Sequence, residues 1–435
     1  MGGASRWWLH QSLSALSESL GGKLLVLSGD PAALLPGLAQ TVNAQSVHWN
    51  RCYEPWRIAR DKGIKEALQN EEIDVQSHNG SLLWEPWQVL KQDQTPYKVF
   101  TPYYRRGCLN ASAPRTPLRV PSPLNLIDAE IPPTFRDNMG ERGIAALGLL
   151  PTIPWDQTMQ TTWKIGEAAA QARLKEFLNI GLDDYKQGRN FPERPNVSSL
   201  SPHLQFGEIS PNQVWAQAER IGIEGGFDDD LDCFQSELGW REFSHALLYH
   251  QPTLARENLQ KKFDHFPWLS DKTLLKAWQQ GQTGFPLVDA GMRELWQTGY
   301  MHNRVRMVVG SFLVKNLLTH WHHGEDWFWD CLVDADLAAN SASWQWIAGC
   351  GADAAPYFRV FNPVTQSERF DPNGTYIRQY VPEIAKLPNK YLHNPGAAPA
   401  AMLLAAGVKL GRDYPEPIVE LKGSRERALL AFKSL

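Results

Sequence analysis

The hydrophobic period changes once along this chain, and that change constrains the fold more than any single motif. Up to about residue 79, short apolar runs alternate with helical patterns. Residues 5–20 (RWWLHQSLSALSESLG) carry apolar side chains at helical spacing and stop at Gly21-Gly22. KLLVLSGD (23–30) reads as a buried strand running into a turn, and PAALLPGLAQ (31–40) as a helix. AQSVHWN (44–50) reads as a strand, residues 55–69 as a helix and IDVQSHN (73–79) as a third strand. Such alternation predicts an α/β unit with a Rossmann-like parallel sheet. The chain opens on a helix where a unit of this kind normally opens on a strand, so the first strand is expected to be missing.

Prolines 114, 117, 121, 123, 132, 133, 151 and 154 then punctuate the sequence, which marks 110–162 as a linker. From about 163 onward the period is helical. The clearest segments are 168–179, 211–222, 233–250, 273–281, 289–299 and 303–321. The run EGGFDDDLD (224–232) reads as a solvated acidic loop leading into a helix. Three units follow: an α/β domain over 1–109, the linker, and an all-α domain over 163–435.

Composition narrows the function classes. The net charge is −4, so a nucleic-acid partner would need a local basic patch rather than a global field. Five cysteines (Cys52, Cys108, Cys233, Cys331, Cys350) are widely spaced, with no CxxC, which suggests a reducing, cytoplasmic compartment. No signal peptide is legible at the N-terminus. The longest apolar stretch, Met307 to Leu318, is broken by Lys315 and Asn316 and is too short to span a bilayer. Tryptophan is abundant, at 18 residues. An excess of Trp serves either a large core or stacking surfaces for flat ligands and bases.

Three stretches concentrate polar chemistry. In DADLAANSASWQW (334–346), Asp336, Asn340 and Trp344 follow at i+4 and share a helix face kept slim by alanines; an ordinary capped helix explains the same pattern. TGYMHNRVRM (298–307) gathers His302, Asn303, Arg304 and Arg306, either a phosphate clamp or a solvated pair of arginines. NVSSLSPHLQFGEIS (196–210) places three hydroxyls before a proline, suited to a pyrophosphate or to a simple turn and cap.

Taken in order, these strings resemble the DNA photolyase/cryptochrome family. YKVFTPYYR (97–105), YKQGR (185–189), LSPHLQFGEIS (200–210), ELGWREF (237–243), GQTGFPLVDAGMRELWQTGYMHNRVRM (281–307), DADLAANSASWQW and PYFRVFNP (356–363) match it in order and spacing over nearly the whole chain. The resemblance implies FAD, bent into a U and active as the reduced anion, within the helical domain. It implies that Tyr185 and the loop Val197, Ser198, Ser199, Leu200 and Ser201 hold the FAD phosphates, although Val197 stands where the family usually has Thr. Phe234, Arg241 and Asn303 would line the flavin pocket. Asp334, Ala335 and Asp336 would meet the ribityl, adenine or flavin edge, and Asn340 the flavin N5.

The resemblance further implies light-driven repair of UV-damaged DNA, single- or double-stranded, by a monomer. Met301-His302-Asn303 resembles the type that repairs cyclobutane pyrimidine dimers, placed here as class I, rather than the (6-4) type with its adjacent histidines. Glu237, Trp240, Asn303, Met307 and Trp346 fall where dimer photolyases touch the lesion, with Glu237 and Asn303 as the catalytic hydrogen-bonding pair. In that role Glu237 would carry a proton. Arg189, Arg304, Arg359 and Gln366 fall where the family contacts the DNA backbone. Trp344, Trp321 and Trp268 match the family's electron relay from flavin to surface. A signalling tail is not expected, since the chain ends 72 residues beyond the last match, PYFRVFNP, and a cryptochrome-like photoreceptor is the alternative function. His320, His322 and His323 flank Trp321 at a helix end where cations suit the dipole, and no carboxylate stands at ligand spacing, so no metal is expected. Asp93-Gln94-Thr95-Pro96 lacks the Glu that folate-binding relatives carry, which leaves the antenna chromophore open, a folate among the candidates.

Overall fold

A computed structural model describes residues 1–127, 143–353 and 358–435. The 128–142 part of the expected linker, with Pro132 and Pro133, lies outside the described residues, as do Pro356 and Tyr357 of the PYFRVFNP string. The helix α1 spans Gly3–Ser19, followed by α2 (Pro31–Thr41), β1 (Ser46–Asn50), α3 (Pro55–Asn70) and β2 (Asp74–His78). The two strands pair in parallel, from Ser46 opposite Asp74 to Asn50 opposite His78. The period of two explains the result. Val47, Trp49 and Val75 turn toward α2 and α3, where Ala39, Ile64, Leu68 and Ile73 form a small core. Ser46, His48, Asn50, Asp74, Gln76 and His78 face outward.

The strand expected over 23–30 does not form. A strand exists by its ladder, and among the described residues β1 and β2 pair only with each other. Leu24 to Leu27 are left half-buried and unpaired, and Asp30 instead caps α2 by accepting from the Ala32 amide at 3.0 Å.

The helical domain follows expectation more closely. Its principal helices are α4 (Glu167–Ile180), α5 (Tyr185–Gly188), α6 (Ser201–Gln205), α7 (Pro211–Gly225), α8 (Asp228–His250), α9 (Lys272–Gln279) and α10 (Pro286–Thr298). After these come α11 (Asn303–Ser311), α12 (Trp321–Cys331), α13 (Leu337–Ala348), α14 (Pro363–Phe370) and α15 (Thr375–Tyr380). The largest core lies between α10, α11, α12 and α13 and includes Trp278, Leu295, Val309, Phe312, Trp321, Phe328 and Trp344.

Two helix limits differ from expectation. The acidic run is not a loop beyond Asp228: α8 begins there, and its first three aspartates sit where a helix N-terminus favours negative charge. The single helix expected over 303–321 is broken. A π-helical turn covers Phe312–Asn316, Leu318 takes a left-handed φ of 51°, and α12 restarts after His320. Apolar periodicity cannot see this break, because the segment is buried on all sides; the Leu318 carbonyl is taken by the Leu269 amide at 2.8 Å. The histidines are therefore at a helix N-terminus, not a C-terminus. His320 caps it by accepting from the His322 amide, and burial, with His322 and His323 adding repulsion, pushes the His320 imidazole down to about 4, so it is neutral there. No helix is long and apolar enough to cross a membrane among the described residues.

Candidate functional site

A polar cradle forms where the hydroxyl loop, α8, α11 and the start of α13 meet. Ser201, first residue of α6, donates its hydroxyl to Asp334 at 2.6 Å. Arg306, on α11, donates to both oxygens of Asp334 at 2.9 and 3.2 Å and to the Met301 carbonyl at 2.7 Å. Asp336 caps α13 through the Ala339 amide at 2.7 Å and faces the His245 imidazole at 3.4 Å. Burial alone would raise the Asp336 carboxyl, but His245 and then Arg241 outweigh it and hold the group well below the usual range. His245 is raised in return, against its own desolvation. Asn340 and Trp344 follow on the same face of α13, both buried, and the Asn340 amide donates to the Glu325 carbonyl at 3.0 Å.

The loop of residues 197–201 is shaped from behind. Arg173 donates to the carbonyls of Val197 and Ser198, each at 2.8 Å, and Ser199 adopts a left-handed φ of 51°. Leu200 and Ala335 are buried beside it. Tyr185 is buried edge-on to Phe234, 5.3 Å between ring centres, with the Arg189 guanidinium over its face. Arg241 reaches the Ser81 carbonyl at 2.6 Å and so ties the cradle to the N-terminal half of the chain. Next to it Glu242 is fully buried, accepts from the Leu83 and Trp84 amides, and is pushed by burial up to about 7.

Two guanidinium groups, two carboxylates, serine hydroxyls and a buried amide make a donor set suited to a dinucleotide, with both phosphate and hydroxyl-rich edges. The Gln235 amide nitrogen, one residue beyond Phe234, is buried with no protein partner. These residues fit FAD.

Near the cradle stand the aromatic residues and arginines that the sequence assigns to DNA. Glu237 forms an ion pair with Arg189. Arg304 donates to Asn190, sits 4.4 Å over the Phe370 ring and donates to the Met307 sulfur at 3.6 Å. Burial, then the neighbouring Arg189 and Arg369, disfavour its charge, which leaves a cationic group poorly compensated by the protein. His302 is pushed down to about 3 by burial and by Arg189, Arg304 and Arg306. Trp240 lies flat on Phe100, 3.7 Å between ring centres at 11°. Trp346 donates its indole N–H to the Asp353 carbonyl at 3.0 Å. Asn303 and Gln366 make no side-chain hydrogen bond among the described residues. Asn303 is exposed at the first turn of α11, and Arg359 is exposed on the segment after 357.

The expected relay is only partly contiguous. Trp321 is fully buried and donates to Asn258 at 2.9 Å, while Trp268 and Trp321 each pack on His320, at 5.0 and 5.7 Å between ring centres. Trp344 touches Phe328 and Trp278 rather than Trp321 ring to ring. Among the described residues no three His, Cys, Asp or Glu side chains stand where they could hold a metal ion.

Sequence reasoning missed His245, Glu242, Phe100 and Asp353. His245 was legible, since it lies at i+4 from Arg241 on one helix face. Phe100 sits inside the quoted YKVFTPYYR string, but its stack on Trp240 joins residues 140 positions apart and has no local signal.

Fold and cradle together define a protein built to hold a nucleotide cofactor. The comparisons sharpen this class. Residues 1–122 match the DNA photolyase model and residues 234–434 the model of the FAD-binding domain of DNA photolyase. The chain is 45% identical to the deoxyribodipyrimidine photo-lyase of Agrobacterium fabrum, over 100% of this chain and 90% of that protein. It is 38% identical to Cryptochrome-2 of Arabidopsis thaliana, over 98% and 70%. The crystal structure of a bacterial class III photolyase from Agrobacterium tumefaciens superimposes with a TM-score of 0.93 at 45% identity, over 100% of this chain and 89% of that one. The chain belongs to the DNA photolyase/cryptochrome family.

Proposed function

We propose that this protein is a deoxyribodipyrimidine photo-lyase that splits cyclobutane pyrimidine dimers in UV-damaged DNA, using light and FAD. The observation that carries the reading is the position, along one helix α8, of cradle residues next to residues assigned to DNA. Arg241 and His245 serve the cradle, while Glu237 pairs with Arg189 and Trp240 stacks on Phe100.

FAD in its reduced form, held by the cradle residues, would supply the light-driven electron-transfer chemistry for opening the cyclobutane ring. The protein does the rest. Arg189, Arg304 and Arg359 are assigned to the phosphates, giving the local basic patch that the net charge of −4 does not provide. A flipped-out dimer costs roughly a few kcal/mol to extrude, less because the damaged pair stacks poorly. Trp240 and Trp346 repay part of this by stacking against it. Asn303, exposed and with no side-chain hydrogen bond among the described residues, is assigned to the pyrimidine edge. Glu237 joins it once DNA phosphate draws Arg189 away, which removes the cation from the carboxylate. Tyr185 and the 197–201 loop are assigned to the FAD phosphates, and Asn340 to the flavin edge.

The class I placement expected from Met301-His302-Asn303 has against it the 45% identity to the Agrobacterium class III enzyme, and class III is the placement we favour. Identity to a plant cryptochrome supports a second reading, a blue-light photoreceptor without repair. Illumination of the reduced, FAD-loaded protein with dimer-containing DNA separates the two. Loss of dimers is the expected result; intact dimers with FAD bound would establish the photoreceptor.

A further inference from the structure

The two tryptophans assigned to the lesion are supplied by different helices, Trp240 by α8 and Trp346 by α13, and nothing in their sequence neighbourhoods sets the gap between them. One residue touches the supports of both. After α13 ends, the chain folds back so that the Cys350 and Gly351 amides donate to the Gln345 carbonyl. Asp353 follows with a left-handed φ of 51°, a conformation that aspartate tolerates better than most residues. This turn aims its carbonyl at the Trp346 indole N–H, 3.0 Å away. Its side-chain Oδ2 accepts from the Phe100 amide at 3.3 Å, across 253 residues of sequence.

Phe100 is the support of the other wall. Its ring lies 3.7 Å from that of Trp240 at 11°, and it is itself fixed between Tyr104 and Phe243. A displacement of the Phe100 backbone therefore carries the stacked indole with it. Asp353 is half-buried, so its hydrogen bond to Phe100 is not dissolved by water in the way a fully exposed one would be.

We infer that Asp353 is a positioning residue that sets the spacing of the two lesion walls, and with it the preference for dimer over intact DNA, through its carbonyl on Trp346 and its carboxylate on Phe100. The inference rests on reading Trp240 and Trp346 as the lesion walls. Phosphate contacts bind any sequence, damaged or not, whereas a stacking gap recognises only what fits it. Loss of the tie therefore lowers discrimination and leaves general DNA affinity alone.

The test compares binding of dimer-containing and undamaged oligonucleotides of the same sequence by FAD-loaded variants. Asp353→Gly is the informative change, because glycine adopts φ of 51° without strain and only the carboxylate is lost. Affinity for dimer DNA is expected to fall about tenfold, the scale of one lost charge-assisted hydrogen bond, with undamaged DNA bound as before. Asp353→Asn, which keeps an acceptor and tolerates the same φ, is expected to restore discrimination. Unchanged discrimination in Asp353→Gly overturns the inference, and so does an equal loss for both DNAs. If Asp353→Gly yields no FAD-loaded protein, Phe100→Leu decides: it removes the stack beneath Trp240 and must lose discrimination, and wild-type behaviour overturns the inference. Trp240→Ala and Trp346→Ala run alongside. If neither alters discrimination, the lesion-wall reading itself has failed and the inference falls with it. If they do and Asp353→Gly does not, only the role of Asp353 has failed.

Discussion

Gly324 and Trp344 pack so closely that a Cβ built on Gly324 would lie 2.1 Å from the indole Cη2. Gly324 stands on α12, three residues after Trp321, and Trp344 stands on α13. The absence of a side chain at 324 is what lets the α13 indole settle beside the helix that begins with Trp321. We expect Gly324→Ala to displace Trp344 and to cost about 1–3 kcal/mol, the usual scale of core overpacking, read as a lowered midpoint of denaturation. If Trp344 passes electrons toward Trp321, photoreduction of oxidised flavin slows in the same variant, while pre-reduced protein repairs at its normal rate. Photoreduction at the wild-type rate with a displaced indole would argue against Trp344 as the inner relay member.

Trp321→Phe tests the middle of the same route. Trp321 is fully buried and hydrogen-bonded to Asn258, so the shape change is small, although the Asn258 amide oxygen loses its donor. Photoreduction of oxidised flavin is expected to stop, with repair by chemically pre-reduced protein largely intact. Flash photolysis reads the first, and loss of dimers under light reads the second. Normal photoreduction would remove Trp321 from the relay and point instead to Trp278, the indole that Trp344 does touch.

Legibility in the sequence followed locality. The helices α4, α7, α9 and α10 were readable because their apolar residues repeat at 3.6, and β1 and β2 because theirs alternate. The strand at 23–30 was misread because an apolar run reports burial, while a strand also requires a neighbour to pair with. The break at Leu318 was hidden for the opposite reason, since a segment buried all round has no polar face to interrupt. Asp334, Asp336 and Asn340 were found through an ordered family resemblance, and their spacing alone fitted an ordinary capped helix equally well. The contacts that join the site, Ser201 to Asp334, His245 to Asp336 and Phe100 to Trp240, span from 91 to 140 positions and could be seen only once the chain was folded.

The Arg189–Glu237 ion pair gives a test by salt dependence. Glu237→Gln removes the carboxylate that occupies Arg189 and frees that cation for phosphate. Affinity for undamaged DNA is expected to rise, because no ion pair has to open before Arg189 reaches a phosphate, and the log–log salt slope is expected to stay as steep as in the wild type. The preference for dimer DNA is expected to fall, because the Glu237 side chain is assigned to the pyrimidine edge and an amide presents a different set of donors and acceptors there. Fluorescence anisotropy across a salt series measures both. Unchanged affinity for undamaged DNA would mean that Arg189 never reaches the backbone.

Glu294 sets a pH dependence of stability that is separate from the chemistry. It lies on α10, buried, and accepts from the Tyr376 hydroxyl at 2.6 Å and the His302 amide at 3.3 Å. Burial, only partly opposed by these bonds and by Arg306, pushes its carboxyl up to about 7 from an ordinary 4.5. A carboxyl raised in the folded state binds more protons there than in the unfolded chain. Its stabilising contribution is therefore complete below pH 4.5 and is lost as pH rises through about 7. Glu294→Gln keeps an acceptor for Tyr376 and His302 but has no proton to lose. The variant is expected to match the wild type near pH 4.5 and to exceed it above pH 7, by at most roughly 3 kcal/mol. Glu242 and Glu325, each also raised to about 7, act in the same direction, while His302 and His320, lowered to about 3 and about 4, act in the opposite one. The difference between variant and wild type cancels those four groups. Urea denaturation of both proteins from pH 4.5 to 8 measures that difference, and a gap that does not widen with pH would show that Glu294 is already ionised in the folded protein at the acid end.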